Sequence, residues 1–259
     1  MAQALAIQNL TMRFDGLTAV DHADLSLQDR QIVSLIGPNG AGKTTLFNCV
    51  TGHYAPTEGT VHLGKDELLS GLPPHTIAKK GVVRTFQNIR LFPAMSAVEN
   101  VMVGRHCRTR AGVLGALLGP PSVRREERAI RERARELLAF CGAAEYEDQQ
   151  ARNLPYGVQR RLEIARALAA EPKILCLDEP AAGMNPRETA DLIALITAIR
   201  GLGITVFLIE HHMNVVMSIS DRVAVMDHGI KIAEGTPDQV QKNPAVIAAY
   251  LGEAAGSGP

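Results

Sequence analysis

The sequence has no tryptophan, few aromatic residues and no excess of either charge. Aromatic residues make up 4% of its 259 residues, and 27 Lys and Arg balance 27 Asp and Glu. Binding single-stranded nucleic acid by stacking needs aromatic side chains, and binding phosphate backbones usually needs a basic excess. The composition therefore argues against a nucleic-acid partner.

Long apolar runs and closely paired cysteines are also missing. No segment reaches the roughly 20 apolar residues that span a bilayer, and the N-terminal MAQALAIQNLTMRF has no basic start before an apolar stretch. The sequence has no CxxC pair among its four cysteines, which are Cys49, Cys107, Cys141 and Cys176. We therefore expect a cytoplasmic protein with buried, reduced thiols, which serves any membrane only through partners.

The N-terminal pattern predicts several strands and one helix. Residues 3–36 alternate apolar and polar positions around an Asp15-Gly16 turn signal, and they end in the apolar strand Ile32–Ile36. A helix is expected from Lys43 to about residue 51. Residues 52–83 contain the glycines and prolines that are typical of short strands and turns.

The rest of the chain alternates helices and strands. Residues 96–170 have helical character, with a charged amphipathic helix at 124–140 and a glycine- and proline-rich insertion at 104–121. After residue 173, the strands ILCLD, TVFLIE and RVAVMD alternate with helices. This alternation indicates a parallel sheet in an α/β fold.

A glycine-rich loop follows the first buried strand. Residues 37–44, GPNGAGKT, match the G-x-x-x-x-G-K-[ST] pattern between a strand and a helix, which is the context that a phosphate-binding loop requires. Glycines let the backbone curl around phosphates, and the N–H groups of residues 40–45 attract an anion. We expect Lys43 to contact the β- and γ-phosphates of a nucleotide and the Thr44 hydroxyl to ligate Mg²⁺.

Two carboxylates end a second apolar strand. The strand ILCLD closes with Asp178 and is followed by Glu179. At the C-terminal edge of a parallel sheet, Asp178 can face a Mg²⁺ ion beside the phosphate loop, and Glu179 can polarise an attacking water as general base. Alone, this pattern would indicate two solvated acids; with the phosphate loop it indicates phosphoryl transfer.

Four further residues carry weaker signals. His211 and His212 both follow TVFLIE, and spacing alone does not choose which of them could contact a γ-phosphate. Gln87, in TFQN, could reach Mg²⁺ and the water through its amide. Phe14 could stack on adenine or could simply belong to the core.

In order and spacing, these segments resemble the ATP-binding cassette (ABC) ATPase family over essentially the whole chain. The segments are GPNGAGKTT, TFQN, LPYGVQRRLEIARAL at the position of the family signature, ILCLDEP and IEHH. The resemblance selects His211 over His212 and assigns Phe14 to adenine stacking. It implies that two ATPase chains enclose ATP, with the signature of one chain capping the γ-phosphate held by the other.

The site residues implied by the resemblance form three groups. The catalytic group is Glu179, His211 and Gln87. The ATP-binding group is Phe14, Gly37, Asn39, Gly40, Ala41, Gly42, Lys43, Thr44 and Thr45, with Leu154, Tyr156 and Gly157 for the ATP of the partner chain. The Mg²⁺ group is Thr44, Gln87 and Asp178, the last through a water molecule.

The signature departs from the commonest family form, Leu-Ser-Gly-Gly-Gln. Pro155 supplies neither a hydroxyl nor an N–H, while Tyr156 replaces the first glycine and Val158 replaces the glutamine. The fixed φ of proline is acceptable where a helix begins. We therefore expect contacts to the partner's γ-phosphate to depend mainly on the backbone near Gly157.

The fold implied by the resemblance is an α/β P-loop NTPase core of the ABC ATPase type, with an N-terminal antiparallel β subdomain and an inserted helical subdomain. We expect one ABC ATPase domain over residues 1–259. Its parts would be a nucleotide-binding core of 1–88 and 160–235, a helical signature subdomain of 89–159, and a C-terminal helical tail of 236–259.

A closer likeness is to the larger ATPase of branched-chain or hydrophobic amino acid uptake systems, through LPYG, RRLEIARAL, DEPAAGMNP and the tail NPAVIAAYLGE. It implies a motor that hydrolyses ATP at the cytoplasmic face of a bacterial inner membrane. The implied partners are a second ATPase chain, two permease subunits and, indirectly, a periplasmic or extracellular solute-binding protein. Related systems carry urea or short amides.

Three alternatives remain open at this point. They are a homodimeric ATPase of a lipid-export system, a soluble ABC ATPase without a transport role, and a regulatory subunit that binds ATP without hydrolysing it. Neutral charge and the single ATPase unit argue against the second. The third is disfavoured by the presence of Lys43, Gln87, Asp178, Glu179 and His211.

Overall fold

The computed structural model describes residues 2–105 and 121–256, with side-chain detail for 2–105 and 125–250. Two predicted features therefore lie outside the described residues: Cys107 and most of the insertion at 104–121. Among the described helices, none combines the length and the apolar character that crossing a membrane requires.

A small antiparallel sheet forms the N-terminal part of the chain. It contains β1 (Gln3–Phe14), β2 (Leu17–Gln28), β4 (Glu58–Leu63) and β5 (Glu67–Leu68), in the order β2-β1-β4-β5. The predicted turn at residues 15–16 joins β1 to β2, with φ values of 42° and 105° that suit an Asp-Gly pair. The antiparallel β subdomain is thus confirmed.

A larger sheet of six strands carries the ends of the predicted functional segments. Its strands are β3 (Ile32–Ile36), β6 (Val82–Arg84), β7 (Ile174–Asp178), β8 (Thr205–Ile209), β9 (Arg222–Asp227) and β10 (Ile230–Gly235). The order is β10-β9-β3-β8-β7-β6, and all neighbours are parallel except β9 and β10. The segments after β3, β8, β7 and β6 therefore begin at one edge of the sheet.

The helices connect and cover these strands. They are α1 (Lys43–Val50), α2 (Pro74–Lys80), α3 (Ala97–Gly104), α4 (Pro121–Phe140), α5 (Tyr156–Ala169), α6 (Pro186–Gly201), α7 (Met213–Ile219), α8 (Pro237–Gln241) and α9 (Pro244–Gly256). The prediction of only strands and turns for 52–83 was wrong at α2. Its first residue is Pro74, a position that proline favours, and Gly81 ends it with φ 107°.

The core lies on both faces of the large sheet, because successive side chains of a strand point to opposite faces. In β7, Leu175 and Leu177 pack with the helices α3–α6, whereas Ile174 and Cys176 pack with α1 and the small sheet. A run of apolar residues without alternation is what burial on both faces requires. The five residues of β7 are accordingly all buried.

The described cysteines are buried and free, as the sequence predicted. Burial raises the pKa of each thiol to about 12, and the three are Cys49, Cys141 and Cys176. They act as small apolar side chains within the core.

Helices α3, α4 and α5 pack on one another and share the core cluster that covers one face of the large sheet. The predicted subdomain boundary at residue 160 falls inside α5. The division into a core of 1–88 and 160–235, a helical part of 89–159 and a tail of 236–259 stays a prediction.

Candidate active site

The phosphate loop connects β3 to α1. Gly42 precedes the first residue of α1 in the left-handed region, with φ 93°, and a Cβ there would lie 2.3 Å from the carbonyl O of Ala19. Only glycine fits this combination of backbone angle and close approach. Lys43 is buried, and its Nζ donates to the carbonyl O atoms of Gly37 and Pro38, each at 2.7 Å.

An open cleft of about 520 Å³ lies over this loop. Of the predicted site residues, it is lined by Phe14, Asn39, Gly40, Ala41, Gly42, Lys43, Thr44, Thr45, Glu179 and His211. The structure adds lining residues that the sequence did not indicate, which are Leu17, Thr18, Ala19, His228 and Gly229. Phe14 is 36% exposed and stands edge-on to the ring of Tyr54, with 5.2 Å between centroids.

Asp178 is held by Arg84, a residue that no sequence motif indicated. Arg84 Nη2 donates to Asp178 Oδ2 at 2.5 Å, and the two side chains are only 7% and 5% exposed. Arg84 Nη1 also donates to Asn48 Oδ1 at 2.6 Å and to Thr51 Oγ1 at 3.3 Å, both on or next to α1. The guanidinium therefore joins the end of β7 to the helix that follows the phosphate loop.

Glu179 lies between two of the predicted catalytic side chains. Gln87 Nε2 donates to Glu179 Oε2 at 2.6 Å, and His211 Nε2 lies 2.7 Å from Oε1. Glu179 has φ 47°, which is uncommon for a residue other than glycine. Left-handed backbone at a residue with a Cβ costs about 1 kcal/mol and is often found at functional sites.

The two adjacent histidines contact different carboxylates. His211 reaches Glu179, whereas His212 Nδ1 lies 3.2 Å from Glu210 Oε2. Glu210 is 1% exposed and also accepts from the backbone N–H of Ala181 at 2.9 Å. Glu210 was not assigned a role from the sequence, although a glutamate directly after the apolar strand β8 could have been noticed.

The predicted Mg²⁺ ligands are all oxygen donors. A hydroxyl from Thr44, an amide oxygen from Gln87 and a carboxylate from Asp178 form a hard set, and they suit a cation that takes its remaining ligands from phosphates and water. Within residues 2–105 and 121–256 there is no group of three His, Cys, Asp or Glu that could hold a metal without such help. The donor set fits Mg²⁺ carried with a nucleotide.

The signature residues stand apart from this cleft. Pro155 immediately precedes the first residue of α5, and Tyr156 is 45% exposed with its hydroxyl donating to the carbonyl O of Ala182 at 3.1 Å. Gly157 is buried, and a Cβ there would lie 2.6 Å from Glu188 Oε1. Leu154 is buried as well. None of these residues is among those that line the cleft over the phosphate loop.

A second buried ion pair, also missed, lies behind Gln87. Arg160 and Glu163 of α5 are 0% and 1% exposed, and Arg160 Nη1 donates to Glu163 Oε2 at 2.8 Å. Burial raises the pKa of the Glu163 carboxyl, while Arg160 and two backbone N–H groups act in the opposite direction. An Arg and a Glu three residues apart on a helix usually indicate a solvated face, so this buried pair could not be recognised from the sequence.

Comparisons with known proteins agree with this geometry. A family model described as "ABC transporter" matches residues 20–182, and a second one, described as "Branched-chain amino acid ATP-binding cassette transporter", matches residues 231–256. Among solved structures, the ADP conformation of an ATP-binding cassette of an ABC transporter has a TM-score of 0.85 at 31% identity. The match covers 97% of this chain and 100% of that one.

Curated relatives are similar along nearly the whole chain. The high-affinity branched-chain amino acid transport ATP-binding protein BraF of Pseudomonas aeruginosa is 53% identical over 251 residues, which is 96% of this chain and 98% of that protein. The protein LivG of Escherichia coli, named for the same transport, is 52% identical over 251 residues with the same coverage.

Proposed function

Because this chain belongs to the ABC transporter family of ATP-binding cassettes and hydrolyses ATP, we propose that it is the motor subunit of an importer for branched-chain or other hydrophobic amino acids. The phosphate loop and the acidic strand specify the ATPase but not the solute. The observation that carries the transport assignment is therefore the C-terminal match over residues 231–256 to a family of branched-chain amino acid cassettes.

Binding of ATP would begin at the loop between β3 and α1. The cleft is lined both by Phe14 and by the phosphate loop. An arriving triphosphate offers Lys43 Nζ better acceptors than the loop carbonyls that it contacts here. The backbone N–H groups at the start of α1 add positive potential toward the phosphates.

Hydrolysis would use Glu179 as general base. The oxygen of a water attacks the γ-phosphorus, the bond to the β–γ bridging oxygen breaks, and the water proton passes to the Glu179 carboxylate. Gln87 and His211 each contact one oxygen of that carboxylate, so they fix its orientation. Fixed orientation supports catalysis because no reorganisation is then needed at the moment of reaction.

Mg²⁺ would be held by Thr44 and Asp178, with Gln87 as a further oxygen donor, and when bound it would offset the negative charge of the phosphates. Arg84 anchors Asp178 at the end of β7, and its other hydrogen bonds go to Asn48 and Thr51, on or next to α1.

The partners in this proposal are a second ATPase chain, two permeases at the cytoplasmic face of the membrane and an external solute-binding protein. The separation of Tyr156 and Gly157 from the cleft over Lys43 supports the need for another ATPase chain, because the signature then has an ATP to contact only across an interface. Pro155, just before α5, supplies neither a hydroxyl nor an N–H to a γ-phosphate, and Tyr156 replaces a glycine of the commonest signature. Because two such signatures would both cap ATP poorly, we propose a heterodimer rather than a homodimer.

The catalytic assignment is tested by Glu179→Gln in the assembled transporter. We expect ATP turnover at this chain's site to fall by about 10² to 10⁴-fold, since that is the usual contribution of a general base. Glu136→Gln is the matched control, because Glu136 is exposed and pairs with Arg133 on the surface of α4. Equal turnover of the two variants at this site would reject Glu179 as the base.

The heterodimer is tested by the mass in solution of the same Glu179→Gln chain. Blocked hydrolysis should trap any ATP sandwich, so light scattering is compared with and without Mg-ATP, and equilibrium dialysis verifies that ATP is bound. We expect an ATP-loaded monomer of 27.8 kDa. An ATP-dependent homodimer would reject the need for a different ATPase chain and would favour the homodimeric alternative.

A further inference from the structure

The buried Arg160–Glu163 ion pair forms hydrogen bonds to the backbone on both sides of Gln87. Arg160 Nη1 donates to the carbonyl O of Phe86 and Nη2 donates to the carbonyl O of Gln87, both at 2.8 Å. Glu163 Oε1 accepts from the backbone N–H groups of Phe86 and Arg90, both at 3.4 Å. The pair thus engages the peptide groups immediately before and after Gln87.

Arg160 also contacts Tyr156, the first residue of α5, which belongs to the signature. Arg160 Nη2 donates to the hydroxyl of Tyr156 at 3.2 Å, and that hydroxyl donates to the carbonyl O of Ala182, three residues after Glu179. The contacts therefore form a continuous chain from the N-terminus of α5 to the Gln87 backbone and to the loop that follows the general base.

Stability alone does not explain this arrangement. Burial of a charged pair costs several kcal/mol per ion before compensation, and well-packed apolar residues of similar volume often hold the same elements together equally well. Arg160 Nε is buried without a hydrogen-bond partner among the described residues, which adds to that cost. What the guanidinium offers beyond packing is a rigid fork with fixed angles to two neighbouring carbonyl groups.

We propose that Arg160, supported by Glu163, is a positioning residue. It holds the backbone of Gln87 so that the side-chain amide reaches Glu179, and it connects that backbone to the signature of the same chain. This inference rests on the proposed roles of Gln87 and Glu179. The signature faces an ATP bound to the partner chain, while Gln87 serves the ATP of this chain. A shift of the α5 N-terminus at one ATP site is therefore transmitted to the catalytic carboxylate at the other.

The test replaces the pair without leaving a buried charge, as the double variant Arg160→Met with Glu163→Leu. In the assembled transporter, we expect the KM for ATP to stay within about twofold and kcat to fall on the order of 10²-fold, the loss typical of a catalytic group misplaced by about 1 Å. Arg161→Met is the matched control. Arg161 is the next residue of α5, but it pairs with Asp191 at the surface, so kcat should not change.

The decisive comparison repeats the double variant in a Gln87→Ala background. If the pair acts through Gln87, its replacement lowers kcat no further there, whereas a purely structural role lowers kcat by the same factor in both backgrounds. Equal factors, or no loss in the wild-type background, would overturn the proposal. A Gln87→Ala chain with full activity would instead reject the proposed role of Gln87, and the proposal that rests on it.

Hydrogen exchange gives a readout that does not depend on activity. In the full chain with Arg160→Met and Glu163→Leu, which removes the carboxylate that accepts from them, the amides of Phe86 and Arg90 should exchange at least about tenfold faster than in the wild type, while the amides of β7 stay protected. Unchanged exchange at both amides would show that the pair does not hold this backbone and would overturn the proposal.

Discussion

Replacing Arg84 by methionine should destabilise the fold far more than removing an exposed arginine. Arg84 and Asp178 form an ion pair whose side chains are 7% and 5% exposed, 2.5 Å apart. Methionine preserves much of the volume and the contacts with the rings of Phe47 and Phe86, whose centroids lie 5.4 and 5.3 Å from the guanidinium carbon. What it removes is the positive charge and its hydrogen bonds.

The magnitude follows from the carboxylate that is left behind. Loss of one partner of a buried ion pair typically costs about 3–5 kcal/mol, because the other charge stays buried without compensation. Asn48 Oδ1 also loses its bond from Arg84, which adds about 1 kcal/mol. The sum is a large part of the roughly 5–15 kcal/mol that separates a folded domain from its unfolded chain.

Equilibrium unfolding in urea measures this difference. With a slope of about 3 kcal/mol per molar urea, a loss of about 4 kcal/mol lowers the midpoint by more than about 1 M. Arg133→Met is the control, since Arg133 and Glu136 are 45% and 64% exposed. An exposed pair contributes about 0–1 kcal/mol, so that midpoint should hardly move.

A second substitution separates the buried charge from lost packing. Adding Asp178→Leu to Arg84→Met removes the uncompensated carboxylate, so the double variant should be more stable than Arg84→Met alone although it lacks two polar groups instead of one. If the double variant is less stable than the single one, or if Arg84→Met unfolds at the same midpoint as Arg133→Met, the reasoning from an uncompensated buried charge is refuted.

Three further outcomes are expected. At pH 8, iodoacetamide should leave the thiols of Cys49, Cys141 and Cys176 unmodified in the folded chain, because burial raises the pKa of each to about 12. In urea the same thiols should be modified, and peptide mass spectrometry would detect the difference. Asn185→Ala should lower the unfolding free energy by about 1 kcal/mol, since its side chain caps α6, and Asn185→Asp should not. Phe14→Ala should weaken ATP binding in equilibrium dialysis by about 0.5–1.5 kcal/mol through lost stacking, and an unchanged affinity would place adenine elsewhere.

The strands that carry the site could be predicted because their signal is local. IVSLI at Ile32–Ile36 and ILCLD at Ile174–Asp178 are short apolar runs bounded by polar residues, and the structure gives strands at these positions. Parallel strands end at one edge of a sheet, so a meeting of Lys43, Glu179 and His211 followed from the order of the elements. Helix α2 was missed because Pro74 was interpreted as a turn signal, although proline also favours the first turn of a helix.

The partners of the site residues could not be predicted, because they come from pairings distant in sequence. Arg84 reaches Asp178 only because β6 lies next to β7, and those strands are 90 residues apart along the chain, so nothing local records their pairing. The choice between His211 and His212 has the same origin. Both follow β8 closely, and only the position of Glu179, one residue beyond the neighbouring strand β7, decides which ring meets it.

The two adjacent carboxylates show how neighbouring residues acquire different roles from their surroundings. Asp178 belongs to β7, is almost fully buried and is bound by an arginine that is itself tied to α1, so its position is fixed by the core. Glu179 lies one residue beyond the strand, in left-handed backbone, and its side chain contacts Gln87 and His211. In the proposed mechanism, this difference matches the two roles: Asp178, which would hold Mg²⁺ in place, is bound by a buried arginine, whereas Glu179, which would accept a proton, contacts an amide and an imidazole. This difference makes Arg84→Met a test of the fold and Gln87→Ala a test of catalysis, although Arg84 and Gln87 are only three residues apart.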